Sequence, residues 1–193
     1  MKISVVFVFI LFISGCAFTV HDVKVDYKYN KPVSANLKGK TIDMGKIADT
    51  RSVVNNRMIM NMKNLNGDTT SGGWQAEKAI SEIVRDAIAQ GLIMANANLG
   101  DSNNGYELTG ELLSFDSKLI MGFWEGSYKG NITVRLQLTD KKSSEIVWRD
   151  TFVGSSEVKG SEGAVGLLKG TLDNLVTKIF ADSYFQQKLA SVK

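Results

Sequence analysis

The chain has 193 residues, a formal net charge of +3, 44% hydrophobic and 22% charged residues, 18 glycines and one proline. Those proportions exclude collagen-like, repeat and largely disordered chains, and basic residues interspersed with acids throughout lack the concentrated positive face of a nucleic-acid binder. One cysteine rules out an internal disulfide, and one histidine leaves little material for a Ser-His-Asp arrangement.

Met1-Lys2 is a short positive start, Ile3 to Ile13 is an apolar run interrupted only by Ser4, and Ser14 and Gly15 are small. This is the three-part layout of an export signal. A membrane-spanning reading fails on length, since about eleven residues at ~1.5 Å rise cover only about 17 Å of a hydrocarbon core about 30 Å thick. Ile13-Ser14-Gly15-Cys16 resembles the bacterial lipobox, in which a branched aliphatic residue and two small residues precede the modified cysteine. The resemblance implies cleavage between Gly15 and Cys16, a diacylglycerol on the Cys16 thiol and an acyl group such as palmitate on the new amine. Ala17, where an Asp resembles an inner-membrane retention mark, implies the periplasmic face of the outer membrane. The expected organisation is a signal peptide at 1–15, a lipidated tether at 16–22 and one periplasmic domain at 23–193, with the membrane a partner through the acyl chains. Several acyl chains together hold a protein on a bilayer where one does not.

Val23, Val25, Tyr27 and Tyr29 alternate with polar residues and predict a half-buried strand that begins the domain. A break at Asn30-Lys31-Pro32 leads to a second strand over Thr41 to Ala48, with Ile42 and Met44 on one face. Residues 50–73 are irregular and rich in Asn and Gly. Such a long structureless loop is uncommon, so it predicts either a functional segment or a concealed hairpin, with Asn66-Gly67 suited to a tight turn. Ala76, Ala79, Ile80, Ile83, Val84, Ala87, Ile88 and Leu92 form a helical stripe opposite Glu77, Lys78, Glu82, Arg85 and Asp86. Gly100 to Gly105 is a turn, and three strands follow: Tyr106 to Phe115 or longer, Asn131 to Thr139, and Glu145 to Val153. Asp140 to Ser144 is the polar connection of a hairpin. A second helix begins near Ser161, with Val165, Leu168, Leu172, Leu175, Val176 and Ile179 inward, and a short helix capped by Ser183 carries Phe185 and Leu189. The order β-β-α-β-β-β-α predicts an α+β fold, a mainly antiparallel sheet of about five strands with two long helices packed on one face.

The strand end Ile47-Ala48-Asp49-Thr50-Arg51, the helix with Ile83-Val84 and Ala87-Ile88, the strand Gly130 to Asp140, Trp148-Arg149-Asp150-Thr151-Phe152 and the helix leading to Asp182 together resemble the YajG-like family of outer-membrane lipoproteins. The resemblance covers roughly residues 37 to 190. The Met-rich stretch 58–62 and the loop Gly122–Gly130 fall outside it. It implies an envelope compartment, the same fold class and no established catalytic activity.

The remaining motifs carry little chemistry. Ser156 and Lys159 match S-x-x-K, but three positions apart on a strand they face opposite ways. Gly160, Gly163 and Gly166 precede a helix with the wrong spacing for a phosphate loop and with an acid among them. Met58, Met60 and Met62 would share one strand face and could bind a soft metal, although Met fills irregular cores equally well. The expectation is no metal, no cofactor beyond the lipid on Cys16, and no enzyme. Asp49 and Arg51 end the second strand on one face, as a local ion pair or as a polar docking point. The candidate partner-binding residues are therefore Phe123, Trp124 and Tyr128, in a glycine-spaced aromatic hairpin tip, with Asp49 and Arg51. Two functions compete: a non-enzymatic lipoprotein that scaffolds or assembles an envelope protein complex, and an auxiliary lipoprotein of an envelope transport system that binds a lipid or small molecule. The second requires an apolar cavity between helices and sheet.

Overall fold

The computed structural model describes residues 19–63, 68–101, 105–120 and 126–191. The elements run β1 (Val20–Val23), β2 (Thr41–Asp49), β3 (Met58–Lys63), β4 (Thr69–Ala76), α1 (Ile80–Met94), β5 (Asn98–Leu99), β6 (Tyr106–Ile120), β7 (Ser127–Asp140), β8 (Glu145–Lys159), α2 (Gly163–Ala181) and α3 (Ser183–Ser191). The predicted α+β class is the observed one.

Alternation builds the larger sheet. Ile132, Val134, Leu136 and Leu138 of β7 are wholly buried, while Thr133, Arg135 and Gln137 between them lie on the more open face. β6 and β8 flank β7 antiparallel, and β8 returns through Asp140, whose Oδ1 accepts from the Lys142 and Ser143 amides. On the other side of β6 come β2 and then β5, each parallel to its neighbour, giving the order β5-β2-β6-β7-β8. The sheet is therefore mixed, its two longest pairings antiparallel as expected and its β2 side parallel. The long connection from β2 through β3, β4 and α1 carries the chain back to the end where β2 began, which is what a parallel neighbour needs. β2 bulges between Met44 and Ile47, and Arg85 of α1 donates to the Met44 and Gly45 carbonyls at 2.7 and 2.9 Å.

Both long helices lie on the face carrying Ile42, Leu108, Val134 and Trp148, α1 over β2 and α2 over β7 and β8. The apolar stripes of both are buried as their spacing requires, including Ile83, Val84, Ala87 and Ile88 of α1 and Leu168, Leu172, Leu175 and Ile179 of α2. α1 starts at Ile80, later than the stripe suggested, because Ala76 belongs to β4 and pairs with Val23. α3 is capped by Asp182, whose Oδ1 accepts from the Phe185 amide at 2.7 Å, rather than by Ser183. Phe185 and Leu189 are buried, and Phe185 meets Trp148, Phe152 and Phe180.

The N-terminal region departs from expectation. Strand pairing covers Val20–Val23, not the segment starting at Val23, and β1 runs parallel to β4 with Val20 opposite Gly73. The folded body thus reaches into the stretch assigned to the tether, where His21 stacks on Trp74. Residues 24–37 continue as an extended strap with no strand partner. Val25 and Tyr29 still point inward, so the alternation correctly signals a half-buried extended chain. Two of its inward residues send their amides to side chains, Val25 to Glu77 Oε2 and Tyr29 to Gln90 Oε1, both at 2.7 Å, while the Tyr27 and Leu37 amides find backbone carbonyls. Tyr27 donates its hydroxyl to Asp173 of α2 at 3.0 Å.

Within residues 50–73, β3 and β4 form an antiparallel pair, so the irregular stretch conceals a hairpin. With β1 they make a second sheet of order β1-β4-β3. Asn66 and Gly67, the predicted turn, lie outside the described residues.

Candidate functional site

Gly15, Cys16, Phe123 and Trp124 lie outside the described residues. Tyr128 sits within β7, opposite Leu119 on one side and Val158 on the other, and is half-buried against the core. Its ring packs in part against the body. The three methionines of β3 do not share one face, because pairing shifts register between Met58 and Met60 and again between Asn61 and Lys63. Met60 is buried in the core, and Met58 and Met62 are half-buried. Among the described residues, no three His, Cys, Asp or Glu side chains gather as a metal site would require. Ser156 is half-buried and Lys159 exposed, on opposite faces of β8.

Asp49 and Arg51 close on each other. Arg51 donates Nε to Asp49 Oδ1 at 2.9 Å and a terminal nitrogen to Oδ2 at 2.7 Å, with side chains only 5% and 14% exposed for Arg51 and Asp49. Fork-to-fork geometry engages both carboxylate oxygens, the local ion pair that the sequence offered as one reading, and Arg51 also lines the adjacent cleft. The hydrogen bonds from Arg51 hold the Asp49 carboxyl below the usual carboxylate range despite its partial burial. Arg51 also donates to the Asn56 carbonyl at 2.9 Å, and so folds residues 51–56 back as a loop.

That loop rims a cleft created where two strand edges diverge. β2 leaves the large sheet after Asp49, its last contact being Thr50, which donates both its amide and its hydroxyl to the Leu112 carbonyl. Beyond Leu112, β6 continues to Ile120 with β7 alone as its strand neighbour. β3 is the outer strand of the small sheet and approaches this vacated side of β6. The two edges are linked at one point, where Ser117 Oγ donates to the Ile59 carbonyl at 2.9 Å. Between them opens a cleft of about 660 Å³. Its lining mixes Val53, Met58 and Phe115 with Asn61, Thr70 and Ser117. Val53 and Val54 stand exposed at its rim.

The cleft loop is tied to the N-terminal strand. Gln75 of β4 donates to Asp22 of β1 at 2.8 Å and accepts from Asn55 of the loop at 2.7 Å. Arg57 spans the same gap, its guanidinium 3.3 Å from Asp22. The irregular composition of residues 50–73 marks this region in the sequence. Phe115, Asp116 and Ser117 carry no such mark, because nothing local shows that β2 abandons β6 at Leu112.

The described body is thus a two-layer α+β domain with an auxiliary three-stranded sheet and an open side cleft, and a solved bacterial protein shares this fold. A Xanthomonas campestris protein of the family model DUF330 shares it at a TM-score of 0.59 with 14% identity, over 90% of this chain and 99% of that one. A minor lipoprotein from Acinetobacter baumannii aligns at a TM-score of 0.40 with 18% identity, over 52% of this chain and 81% of that one. The lipoprotein GNA1162 from Neisseria meningitidis aligns at 0.41 with 9% identity, over 75% and 100% respectively. No family model matches the sequence, and no curated protein does.

Proposed function

We propose that this chain is a lipid-anchored outer-membrane lipoprotein of the YajG-like kind, facing the periplasm, that catalyses no reaction and serves as an accessory or assembly factor for an envelope protein complex. The observation that carries the reading is the position of β1. The sequence offers Cys16 as the lipid-bearing residue, and the first described strand starts at Val20, paired to the hairpin whose other strand lines the cleft. The three intervening residues span at most about 10–14 Å at ~3.4 Å each. An anchor that short holds the cleft close to the bilayer, within reach of partners embedded there. Among the described residues no helix is long and apolar enough to cross a membrane; in this reading the acyl chains supply the attachment.

The cleft is the protein-binding site in this reading. Its volume lies in the range of working binding sites, and its mixed lining suits a polypeptide better than a bare acyl chain. The alternative of a ligand held between helices and sheet has less support, since Leu108, Leu112, Val134, Val84, Leu172 and Leu175 fill that layer and are wholly buried.

Two measurements test the proposal. The mass of the chain purified from bacterial membranes should show Cys16 as the acylated first residue, and Cys16→Ala should abolish membrane recovery. A photoreactive residue replacing Asn61 in intact cells should crosslink one defined envelope protein. An unmodified cysteine overturns the anchor, and a chain that crosslinks to no protein overturns the assembly role.

A further inference from the structure

We propose that the lysines of the strap form a surface that docks on anionic phospholipid headgroups, so that the anchored body lies with its helices toward the bilayer and its open sheet face away from it. This rests on the reading of Cys16 as the lipid anchor and adds an orientation to it.

Charge is unevenly placed along the chain. Residues 24–40, the strap and the turn that leads into β2, hold five lysines and one acid, a net +4, whereas the rest of the chain beyond residue 15 sums to −2. Lys24, Lys28, Lys31 and Lys38 are exposed. Because Val25, Tyr27 and Tyr29 turn inward, alternation carries Lys24 and Lys28 to the outer surface of the strap, where Asp26 is the single acid between them. Two further acids bond the strap from the body. Glu77 accepts from the Val25 amide at 2.7 Å, and Asp173 accepts from the Tyr27 hydroxyl at 3.0 Å and pairs with Lys31 at 3.4 Å. With both counted, the surface still keeps an excess of two positive charges. Among the described residues Lys24, Lys28 and Lys38 make no ion pair.

The backbone that carries these lysines is held in place. Gln90 of α1 accepts from the Tyr29 amide at 2.7 Å and donates to the Tyr27 carbonyl at 3.3 Å. The Tyr29 hydroxyl meets Thr177 of α2 at 3.2 Å, and Ser34 donates to the Phe180 carbonyl at 3.2 Å. Docking therefore orders little beyond the lysine side chains themselves. The strap also follows directly on β1, the first described strand after Cys16. It lies across both long helices, and those helices cover one face of the large sheet. The face bearing Arg135 and Gln137 consequently stands on the opposite side of the body.

The pattern of charge selects the occupant. Lysine is a compact charge on a flexible stem, and these four are strung along fifteen residues rather than converging on one point. That spread matches a plane of headgroup phosphates better than a single small anion. Each lysine within a Debye length of an anionic leaflet, about 8 Å, adds about fivefold in affinity. Attachment itself comes from the acyl chains. A tether at one end leaves the body free to swivel, and the lysines remove that freedom.

The test places the full-length lipidated chain in vesicles of phosphatidylcholine, alone or mixed with phosphatidylglycerol, and pulses it with a water-soluble lysine-acetylating reagent. Peptide masses should show Lys24, Lys28 and Lys38 labelling at least about threefold more slowly on the anionic vesicles. Salt at about 1 M, which shortens the Debye length to about 3 Å, should abolish the difference. Lys46, exposed beside Arg135 on the open sheet face, should label equally on both. In the triple variant Lys24→Gln, Lys28→Gln, Lys38→Gln, Lys31 should label at the same rate on the two kinds of vesicle, while the unfolding transition and membrane recovery stay as in wild type. Equal labelling of the strap lysines on both vesicles, protection of Lys46 to the same degree, or protection of Lys31 that persists in the triple variant would each overturn the docking surface. If Cys16 is acylated and one of those results is found, the anchor stands and only the orientation is rejected; an unmodified Cys16 rejects the anchor itself.

Discussion

Gln75 bridges two elements far apart in sequence, donating from Nε2 to Asp22 Oδ1 at 2.8 Å and accepting at Oε1 from Asn55 at 2.7 Å. It is one of few polar side chains buried in the described structure, at 9% exposure. A buried amide is tolerated only when its donor and acceptor are both used, and here they join β1 to the loop at the cleft.

Gln75→Ala should therefore destabilise the protein by about 1–3 kcal/mol, from two lost hydrogen bonds at roughly 0.5–1.5 kcal/mol each. Urea unfolding measures that figure. Amide exchange of residues 52–57 should accelerate in the variant, while exchange in β7 keeps its pattern. An unchanged loop would show that Arg51 alone holds it.

The Asp49–Arg51 pair contributes to stability at the acid end. The folded-state pKa of Asp49 is lowered by Arg51, so its contribution is present above the unfolded value near ~4 and is lost as pH falls below about 4 through the folded value. Stability measured by denaturant midpoint from pH 7 to pH 2 should fall less steeply in Asp49→Asn than in wild type. Arg51→Ala, which leaves a largely buried carboxylate alone, should cost about 3 kcal/mol at neutral pH.

Tyr27 acts at the alkaline end. Burial first, and then the adjacent Asp173, raise its phenol pKa well above the ordinary value. A raised folded-state value means stability fully present below the unfolded pKa near ~10 and lost as pH climbs beyond it. One of the five tyrosines should accordingly resist ionisation until the protein unfolds, as followed by tyrosinate absorbance. Tyr27→Phe should remove that delayed step and flatten the alkaline loss. It should also cost about 1.5–3 kcal/mol at neutral pH, as expected for a hydrogen bond to a charged group.

Gly91 decides how closely the long helices pack. A Cβ there would stand 2.3 Å from Phe180 Cε2 and 2.8 Å from Val176 Cγ1, and Phe180 is itself wedged against Phe185. Gly91→Ala gains about 1 kcal/mol of helix propensity but forces an overpacked core at a cost of about 1–3 kcal/mol. Net destabilisation is expected by thermal unfolding, and Phe180→Leu in the same chain should recover part of it by making room.

The sequence alone was enough for α2, α3, β7 and the β7–β8 hairpin, because each declares itself within a short window: a stripe at helical spacing, strict alternation, or a polar turn. It also marked residues 50–73 as unusual and 23–29 as half-buried, and both descriptions survive. The alternation at Val25 and Tyr29 could not reveal whether a strand or helix side chains would receive the backbone, since burial of one face looks identical in either case. Ala76 shows the same ambiguity in reverse, an apolar residue at helical spacing from Ile80 that is spent on β4.

What only the tertiary structure decided are the relationships between distant segments. The parallel seating of β2 on β6, the capture of β1 by β4, and the departure of β2 at Thr50 are choices of partner, and partner choice depends on contacts tens of residues away that no local pattern encodes. The cleft is a product of those choices. It exists because one strand ends eight residues before its neighbour does, from Leu112 to Ile120, and a second sheet arrives opposite the edge left behind.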